Sequence, residues 1–453
     1  MPENAEKLAI CERLSIPAAP TSLSPPQKKI TPPIPITPPT PIALNKNSSR
    51  ICENRIVHIQ DLATAPGQQL LAELPVYDAA QVFSLHNQLR KRGFDSDLIS
   101  AALTQSRLRA RATEKFGDSA AQMLFTTAGL EQATRASIAT AHADFLRKHG
   151  AQKLLDFGCG IGADARSFAA AGITVTAIEK DGEAAAAARH NLAAFPTARV
   201  IEADANNLDL AALGADTIWI DPARRAAGKR IKNPAHWQPS LEHAIALAQR
   251  YPLSGIKVAP GIDYALLPTS AHVQWISETR ELAEAVIWMG ADIKPGRSAL
   301  VITPDGEYSY QADGENPQQP AEMLEPAPLA EFIYEPDPAI IRAGAIASLA
   351  KAQQLRPVSA QIAYLTGADP IFSPFLSGFR IQEVLKPRPK IVQAALHSHG
   401  IGRVEIKKRG TALVPEEYRR QLHLDSSLPG SATLISTPLA GKPHILLCSR
   451  LQK

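Results

Sequence analysis

The sequence predicts an α/β fold, in which an open and largely parallel sheet follows a helical region and precedes a smaller α/β domain. Strand-like apolar runs alternate with helical runs over residues 151–305. Apolar residues recur at helical spacing in residues 51–150, and residues 373–453 mix strand and helix patterns. Residues 306–372, rich in proline, acid and glutamine, are predicted to be a linker with one short helix.

Composition limits the classes of protein to which this chain can belong. Of its 453 residues 45% are hydrophobic, enough for several cores, and the net charge is only +4. The four cysteines, at positions 11, 52, 159 and 448, lack CxxC spacing, so we expect neither a disulfide framework nor a metal site. Apolar runs stay below the roughly 20 residues of a membrane span, and the N-terminus lacks a signal-peptide core. These features predict a cytoplasmic protein.

Residues 1–50 are predicted to be a tail. Pro-Pro pairs at 25–26, 32–33 and 38–39 stand among Ser, Thr and Lys. Such segments favour polyproline II or disorder over packing, because they bury too little apolar surface. A ligand for a proline-recognising domain is the alternative to a plain disordered extension.

The helical region contains one unusually polar segment. Its last predicted helix lies in residues 129–150, and the beginning of this segment carries Glu131, Gln132, Thr134 and Arg135. We leave two interpretations open: these side chains lie near the functional site, or they only cap the helix.

Residues 153–181 form a predicted βαβ unit. An apolar strand begins at Lys153 and leads directly into a glycine-rich loop. A helical run ends at Gly172, and a second apolar strand ends on the acid Glu179. In such a unit the glycine loop lets a ligand approach the backbone, while helix amides point at it.

Two cofactor classes use a loop of this kind. A dinucleotide-binding fold requires G-x-G-x-x-G/A, which Gly158, Gly160 and Ala163 satisfy, although that match alone is weak. Asp156 before these glycines and Gly162 after them extend the pattern to D-x-G-x-G-x-G. A βαβ turn that binds no ligand is the third alternative.

The extended pattern resembles motif I of the class I S-adenosylmethionine-dependent methyltransferases, which have a Rossmann-like sheet. The resemblance implies that S-adenosyl-L-methionine is the cofactor and that Asp156 faces its methionine end beside the glycines. It also implies that Glu179 binds the ribose hydroxyls. A third strand is predicted at Ala198–Ile201, and the resemblance assigns the following acid, Asp204, to the adenine amino group. A solvent-facing loop acid is the alternative for Asp204.

The fourth predicted strand, Thr217–Ile220, ends in the sequence DPARR, residues 221–225. Strand ends on this edge of an open α/β sheet are where ligands bind. A proline after the strand donates no hydrogen bond, which leaves carbonyls free to face a substrate. We therefore predict that Asp221 and Pro222 form the catalytic element.

The DPARR sequence is similar to sequences of two methyltransferase groups. Amino-group methyltransferases often carry Asn/Asp-Pro-Pro-aromatic there, and use the acid and a backbone carbonyl to orient the target nitrogen. Pyrimidine carbon-5 methyltransferases of RNA carry Asp-Pro-Pro/Ala-Arg, but need a cysteine nucleophile after the next strand. That strand, within residues 254–263, has no cysteine. We expect direct in-line transfer, with Asp221 holding or partly deprotonating the target nitrogen.

Side chains around this loop are predicted to bind substrate. Arginines offer forked donors to phosphates or base edges, and cations at 229, 230 and 232 extend the basic loop. A solvated charged turn is the alternative. An indole here either stacks on a flipped base or belongs to the core. The predicted substrate-binding residues of this region are Arg224, Arg225, Trp237 and Lys257.

Two strands, near Leu282–Met289 and Ser298–Thr303, are predicted to close the sheet as an antiparallel pair, which resembles the last two strands of the methyltransferase sheet. Residues 380–450 then carry twelve lysines and arginines but five aspartates and glutamates, an excess of seven positive charges. An excess of this size suits a phosphate backbone. The cations predicted to contact it are Lys407, Lys408 and Arg409.

From about Leu108 onward, the order of these motifs resembles a family of bacterial methyltransferases that end in a THUMP-like domain. THUMP domains bind structured RNA, so the resemblance implies a tRNA or rRNA partner. The sequence therefore predicts an S-adenosylmethionine-dependent methyltransferase that acts on an RNA base nitrogen. Two alternatives remain, a catalytically idle RNA-binding protein and a nicotinamide-dependent oxidoreductase. The sequence predicts no oligomeric state.

Overall fold

Helices form the beginning of the structure, a computed structural model that describes residues 59–226 and 229–452. The predicted tail, residues 1–50, lies outside the described residues. A 3-10 turn at Gly117–Gln122 follows the longest of these helices. None of the described helices is long and apolar enough to cross a membrane. The helices are α1 (Ile59–Ala63), α2 (Ala65–Glu73), α3 (Val82–Lys91), α4 (Ser96–Phe116), α5 (Thr127–Gln132) and α6 (Ala136–Lys148).

The central sheet follows, and its strands alternate with helices in the first half. Its elements are β1 (Lys153–Phe157), α7 (Ala163–Ala170), β2 (Thr174–Glu179), α8 (Gly182–Leu192), β3 (Ala198–Glu202), β4 (Thr217–Ile220), the ribbon β5 (Arg225–Ala226) and β6 (Lys229–Arg230), α9 (Leu241–Ala248), β7 (Leu253–Val258), β8 (His272–Glu278), β9 (Glu281–Gly290), β10 (Gly296–Thr303) and β11 (Gly306–Gln311). Apart from the ribbon, the strand order is β11-β10-β8-β9-β7-β4-β1-β2-β3. Strands β3, β2, β1, β4 and β7 are parallel, which confirms the predicted parallel sheet.

The closing strands differ from the prediction. The runs predicted near residues 282–289 and 298–303 are strands β9 and β10, but they do not pair with each other. Strand β8, which the prediction missed, lies between them and pairs antiparallel with β9 and parallel with β10. The hairpin turn between β8 and β9 uses Thr279 and Arg280 at positive φ, without a glycine to indicate the turn.

Apolar side chains cover both faces of the central sheet. On one face, α6 and α7 pack over a cluster that contains Trp219 of β4 and Trp288 of β9. Gly255 of β7 lies between these indoles, and a Cβ atom there would stand 2.6 Å from Trp219 and 2.7 Å from Trp288. Glycine therefore allows the two rings to meet across β7, with ring centroids 5.6 Å apart.

A second sheet forms the C-terminal domain, and it begins well before the predicted boundary at residue 373. Its elements are β12 (Phe332–Pro336), α10 (Pro338–Ala343), α11 (Ile346–Ala352), β13 (Arg356–Pro357), β14 (Leu365–Gly367), β15 (Leu376–Leu385), α12 (Pro389–Ser398), β16 (Ile401–Lys408), α13 (Pro415–Gln421), β17 (Gly430–Leu439) and β18 (Lys442–Arg450). The strand order is β13-β14-β12-β15-β18-β17-β16. Part of the predicted linker, 306–372, therefore belongs to the sheets: β11 extends the central sheet, and β12 to β14 belong to the second.

Candidate active site

The carboxyl ends of the parallel strands meet at one edge of the central sheet, as the sequence predicts. This edge carries the glycine loop after β1, Glu179 at the end of β2 and Asp221 after β4. A Cβ atom added to Gly158 would lie 3.9 Å from the carbonyl oxygen of Asp221. The glycine loop and the DPARR segment are therefore direct neighbours.

The glycine loop has the backbone that the sequence pattern requires. Gly158, Gly160 and Gly162 have φ values of +81°, +57° and +78°, a region that L side chains rarely adopt. A Cβ atom at Gly160 would meet no heavy atom of the described residues within 4 Å. The loop therefore borders open space, where a ligand can approach the bare backbone.

Asp156 is buried at the end of β1, with 1% of its surface exposed. Its Oδ2 atom has no hydrogen-bond partner among the described residues. Burial, together with the nearby carboxylates Asp164 and Asp221, raises the pKa of Asp156 well above its usual range. An unpartnered buried carboxyl beside a glycine loop is what a donor-bearing ligand would satisfy.

Glu179 and Asp204 each hold backbone amides. The Glu179 carboxylate accepts hydrogen bonds from the amides of Gly160, at 2.9 Å, and Asp181, at 2.8 Å. Oδ1 of Asp204 accepts hydrogen bonds from the backbone N–H and the side-chain Nδ2 of Asn206. These two hydrogen bonds lower the pKa of Asp204. A carboxylate has about four acceptor positions, so both acids retain capacity for a ligand.

These residues fit S-adenosylmethionine. The open space at Gly160, the unpartnered Asp156 oxygen and the unused acceptor capacity of Glu179 lie along one edge. The sequence resemblance assigns the methionine end of the cofactor to Asp156 and its ribose to Glu179. The roles of the individual residues remain predictions.

Asp221, whose side chain is 28% exposed, pairs with a buried lysine, which the sequence did not indicate. Its Oδ2 atom is 2.5 Å from Nζ of Lys257, whose side chain is 3% exposed. Burial raises the pKa of Asp221, while Lys257 and Arg224 oppose that effect. Lys257 was predicted to bind substrate, and this prediction is wrong, because its ammonium is enclosed by protein groups.

Three further charged groups near Asp221 were missed by the sequence analysis. Asp164 of α7, His142 of α6 and Glu284 of β9 are buried, although their elements are otherwise apolar on that side. Nδ1 of His142 is 3.1 Å from Asp164, and its Nε2 is 3.0 Å from Glu284. The available signal was a charged residue at a position where the periodicity predicts an apolar one.

Part of the polar segment at the end of α5 lies close to these charged groups, as the first of the two interpretations expects, whereas Glu131 and Gln132 are exposed. The Thr134 hydroxyl donates to Asp164 at 2.8 Å and accepts from Lys257 at 2.8 Å. Arg135 pairs with Glu278 and Glu281 of the β8–β9 hairpin. The segment therefore connects the helical region to the catalytic edge.

The predicted substrate-binding residues after β4 separate in the structure. Trp237 is 4% exposed, and its indole nitrogen donates to the carbonyl of Ile231. It is a core residue, so its prediction as a stacking surface is wrong. Pro222 is buried and Arg224 is half-buried beside Asp221, whereas the side chain of Arg225 lies outside the described part of the chain.

The C-terminal cations are partly neutralised within the protein. Nζ of Lys407 lies 2.9 Å from Glu335, and Nη2 of Arg409 lies 3.3 Å from the same carboxylate. On a flat sheet, Glu335 of β12 and Lys407 of β16 would be roughly 19 Å apart, so the sheet curls strongly. Lys408 points to the other side and is exposed. Glu335 thus partly neutralises Lys407 and Arg409, and the contacts of the three cations with RNA stay predictions.

The C-terminal domain is fixed to the catalytic edge. Arg280 of the β8–β9 hairpin donates to the Glu335 carbonyl, and the Ser277 hydroxyl donates to Asp337, which caps α10. Arg342 of α10 donates to the carbonyl of Pro260, in the loop after β7. These contacts, one buried and two partly buried, hold the second sheet against the central sheet on the side of Asp221.

Three family comparisons match separate parts of the chain. Residues 154–227 match the family described as methyltransferase domain, and residues 376–450 match the family described as THUMP domain-like. Residues 56–112, in the helical region, match a domain of unknown function. The glycine loop, Glu179, Asp204 and Asp221 therefore lie within the first match, and strands β15 to β18 of the second sheet lie within the second match.

Comparisons over most of the chain also find methyltransferases. Two uncharacterized S-adenosylmethionine-dependent methyltransferases of Mycobacterium tuberculosis, strains CDC 1551 / Oshkosh and ATCC 25618 / H37Rv, are each 30% identical to this chain over 351 residues, which cover 75% of this chain and 93% of the relative. A crystal structure described as a methyltransferase from Porphyromonas gingivalis W83 superposes with a TM-score of 0.65 at 19% identity, over 84% of this chain and 100% of the other. At that identity the likeness concerns the fold.

Proposed function

Because this chain belongs to the S-adenosylmethionine-dependent methyltransferases, we propose that it methylates a base nitrogen of structured RNA, a tRNA or rRNA, by direct in-line transfer. S-Adenosylmethionine is its cofactor. One observation carries the proposal. Asp221 stands beside the glycine loop, on the same edge to which the THUMP-like domain is fixed.

The cofactor is held by the predicted motif residues. Asp156 accepts from the amino group at the methionine end, and the glycines 158, 160 and 162 let the cofactor lie against backbone. Glu179 binds the ribose hydroxyls, and Asp204 accepts from the adenine amino group. Support comes from the unpartnered oxygen of Asp156 and the open space at Gly160.

Asp221 and the backbone around Pro222 orient the target nitrogen. When bound, the cofactor would supply an electrophilic methyl group on its sulfonium; the target nitrogen would bond to this carbon as its bond to sulfur breaks, which would leave a neutral thioether. Asp221 accepts a hydrogen bond from the nitrogen and thereby directs its lone pair at the methyl carbon. The displaced proton leaves through Asp221 to water. Arg224 lies close enough to bind a neighbouring phosphate.

RNA contacts on the C-terminal domain centre on the beginning of α12. Lys386, Arg388 and Lys390 are exposed there, in the sequence KPRPK, and have no ion-pair partner among the described residues. The alternating prolines restrict the backbone, so little entropy is lost when the three cations bind phosphates. Lys408 adds a fourth exposed cation. A cytoplasmic location, inferred from the scattered cysteines, belongs to this proposal.

Mass spectrometry of modified nucleosides tests the RNA substrate. RNA from a deletion strain should lack one methylated base that the parent strain contains, and purified enzyme with S-adenosylmethionine should restore it. An enzyme with Asp221→Ala should not restore it. Identical nucleoside profiles, from a protein that binds the cofactor, would contradict the proposal and favour the idle RNA-binding alternative.

A further inference from the structure

The buried side chain of Lys257 contacts the carboxylate of Asp221, the candidate catalytic acid, from the protein interior. Nζ of Lys257 lies 2.5 Å from Asp221, 2.8 Å from the Thr134 hydroxyl and 3.5 Å from Asp164. The whole Lys257 residue is 2% exposed. These three partners occupy the ammonium group, which has three donors, so Lys257 has no donor left for a substrate.

The ion pair continues as a row of alternating charges. Behind Lys257, Asp164 faces His142, and His142 faces Glu284. Although burial disfavours its charged form, Glu284 and Asp164 raise the pKa of His142 to about 9, so it is a cation at neutral pH. Negative and positive groups therefore alternate in a row that runs from the core to the edge of the sheet: Glu284, His142, Asp164, Lys257 and Asp221.

The surroundings of this row make its interactions strong. The His142 ring lies 4.7 Å from the Trp219 ring and 6.1 Å from the Trp288 ring, measured between centroids. In such apolar surroundings an uncompensated charge is costly, so each ion depends on its neighbours. The row also joins β9, α6, α7, β7 and β4. The loss of a charge at Glu284 or His142 should therefore alter the interaction of Lys257 with Asp221, because each group in between is held by its neighbours.

Other charged groups face the row from neighbouring elements. Asp156 of β1 lies near both Asp164 and Asp221, and Glu179 of β2 lies near Asp156. Arg224 faces Asp221 from the segment after β4. Lys115 of α4 is near Lys257, but its Nζ donates to three carbonyls at the end of α5. Lys257 is therefore the cation in direct contact with Asp221.

We propose that Lys257 is a positioning residue that orients the Asp221 carboxylate and keeps it ionised, and that Asp164, His142 and Glu284 hold Lys257 in place. The inference rests on the proposed role of Asp221 in methyl transfer. It replaces the substrate-binding role that the sequence suggested for Lys257. The ionised Asp221 then acts first as a hydrogen-bond acceptor for the target nitrogen.

The titration of Asp221 tests this inference without any substrate. Infrared difference spectra of the full-length protein give the pH at which the Asp221 carboxyl is half protonated, its midpoint. The band that disappears in the Asp221→Asn variant identifies this carboxyl. In Lys257→Met the midpoint should rise by about one to three pH units, because burial then acts without the opposing cation. Lys257→Arg should restore most of the shift. An unchanged midpoint in Lys257→Met would overturn the inference.

A milder variant keeps the test decisive if Lys257→Met does not fold. Thr134→Val removes the hydroxyl that bridges Lys257 and Asp164 but keeps the side-chain shape, and it should raise the Asp221 midpoint in the same direction by a smaller amount. Thr437→Val, at a buried hydroxyl of β17 with no hydrogen-bond partner among the described residues, is the matched control and should leave the midpoint unchanged. A Thr134→Val midpoint equal to that of the control would refute the positioning role.

Kinetics separates this inference from the proposed function. Total RNA of the deletion strain and S-adenosylmethionine with a tritiated methyl group serve as substrates. In Lys257→Met the acid limb of the kcat/KM profile should move upward together with the infrared midpoint. If wild-type enzyme methylates no RNA while the infrared midpoints shift as expected, RNA methylation fails and the positioning role stands. A raised KM with an unmoved limb would instead return Lys257 to substrate binding.

Discussion

At the scale of single residues, Asp221 is the centre of the candidate site. Asp221→Ala should lower kcat roughly 100-fold or more, the usual effect of a positioned acid–base group. Cofactor affinity should stay nearly unchanged, because the role proposed for Asp221 is towards the target nitrogen and not the cofactor. Calorimetry with S-adenosylhomocysteine and the tritium assay measure both quantities. Asp209→Ala, at an exposed acid after β3, is the control. A variant of normal rate would contradict the assignment.

Gly160 provides a second residue-scale prediction, for the cofactor. Gly160→Ala places a methyl group in the open space beside the loop and should abolish S-adenosylmethionine binding, while the strain at φ +57° costs about 1 kcal/mol. Gly172→Ala is a matched control, because Gly172 has φ +86° and also no heavy atom near its Cβ position, but ends α7 at the opposite edge. Equal cofactor affinities in the two variants, measured by calorimetry, would remove the loop from the site.

At the scale of elements, His142 joins α6 to α7 and β9. Its pKa is raised from 6.5 to about 9 in the folded protein, so the folded state binds the extra proton and is stabilised by it below pH 6.5. This contribution is lost as the pH rises from 6.5 to 9, at about 1 kcal/mol per pH unit. The free energy of unfolding of the wild type should therefore fall across this window relative to that of His142→Gln. Parallel curves from denaturant titrations would show that His142 is neutral.

The βαβ unit and the C-terminal domain show why elements differ in how well a sequence predicts them. Gly162 begins α7 and Gly172 ends it, both at positive φ, so local chemistry alone marks that helix. Strand β12 and helix α10 instead lie in a proline-rich stretch that reads as a linker. Their structure depends on partners distant in sequence, such as β15, which pairs with β12, and Ser277, which contacts Asp337.

At the scale of the whole molecule, the proposed RNA contacts of the C-terminal domain can be tested through its exposed cations. Changing Lys386, Arg388 and Lys390 together to glutamine should lower the slope of log affinity against log salt by about two to three, since each phosphate contact contributes roughly 0.7–0.9. Lys408→Gln should lower it by about one at most. Fluorescence anisotropy with structured RNA across a salt series measures these slopes.

The matched control uses cations of the same domain that are already neutralised. Lys407→Gln with Arg409→Gln should leave the slope nearly unchanged, because Glu335 pairs with both. Cofactor affinity should be unaffected in every variant of this set. A large effect of this pair, with none from the residues at α12, would place the RNA on the side of the sheet that faces Glu335.

The sequence by itself determined the parallel sheet, the glycine loop and Asp221 after β4. Each depends on local chemistry: glycines at positive φ, apolar periodicity, and a polar residue directly after a buried strand. Tertiary structure alone decided that Lys257 pairs with Asp221 and that Trp237 belongs to the core. It also decided that Glu335 neutralises Lys407. The two ion pairs join residues 36 and 72 positions apart in the chain, and Trp237 is a core residue because other elements cover it. Such contacts leave no periodic pattern in the sequence, because they depend on how the elements pack.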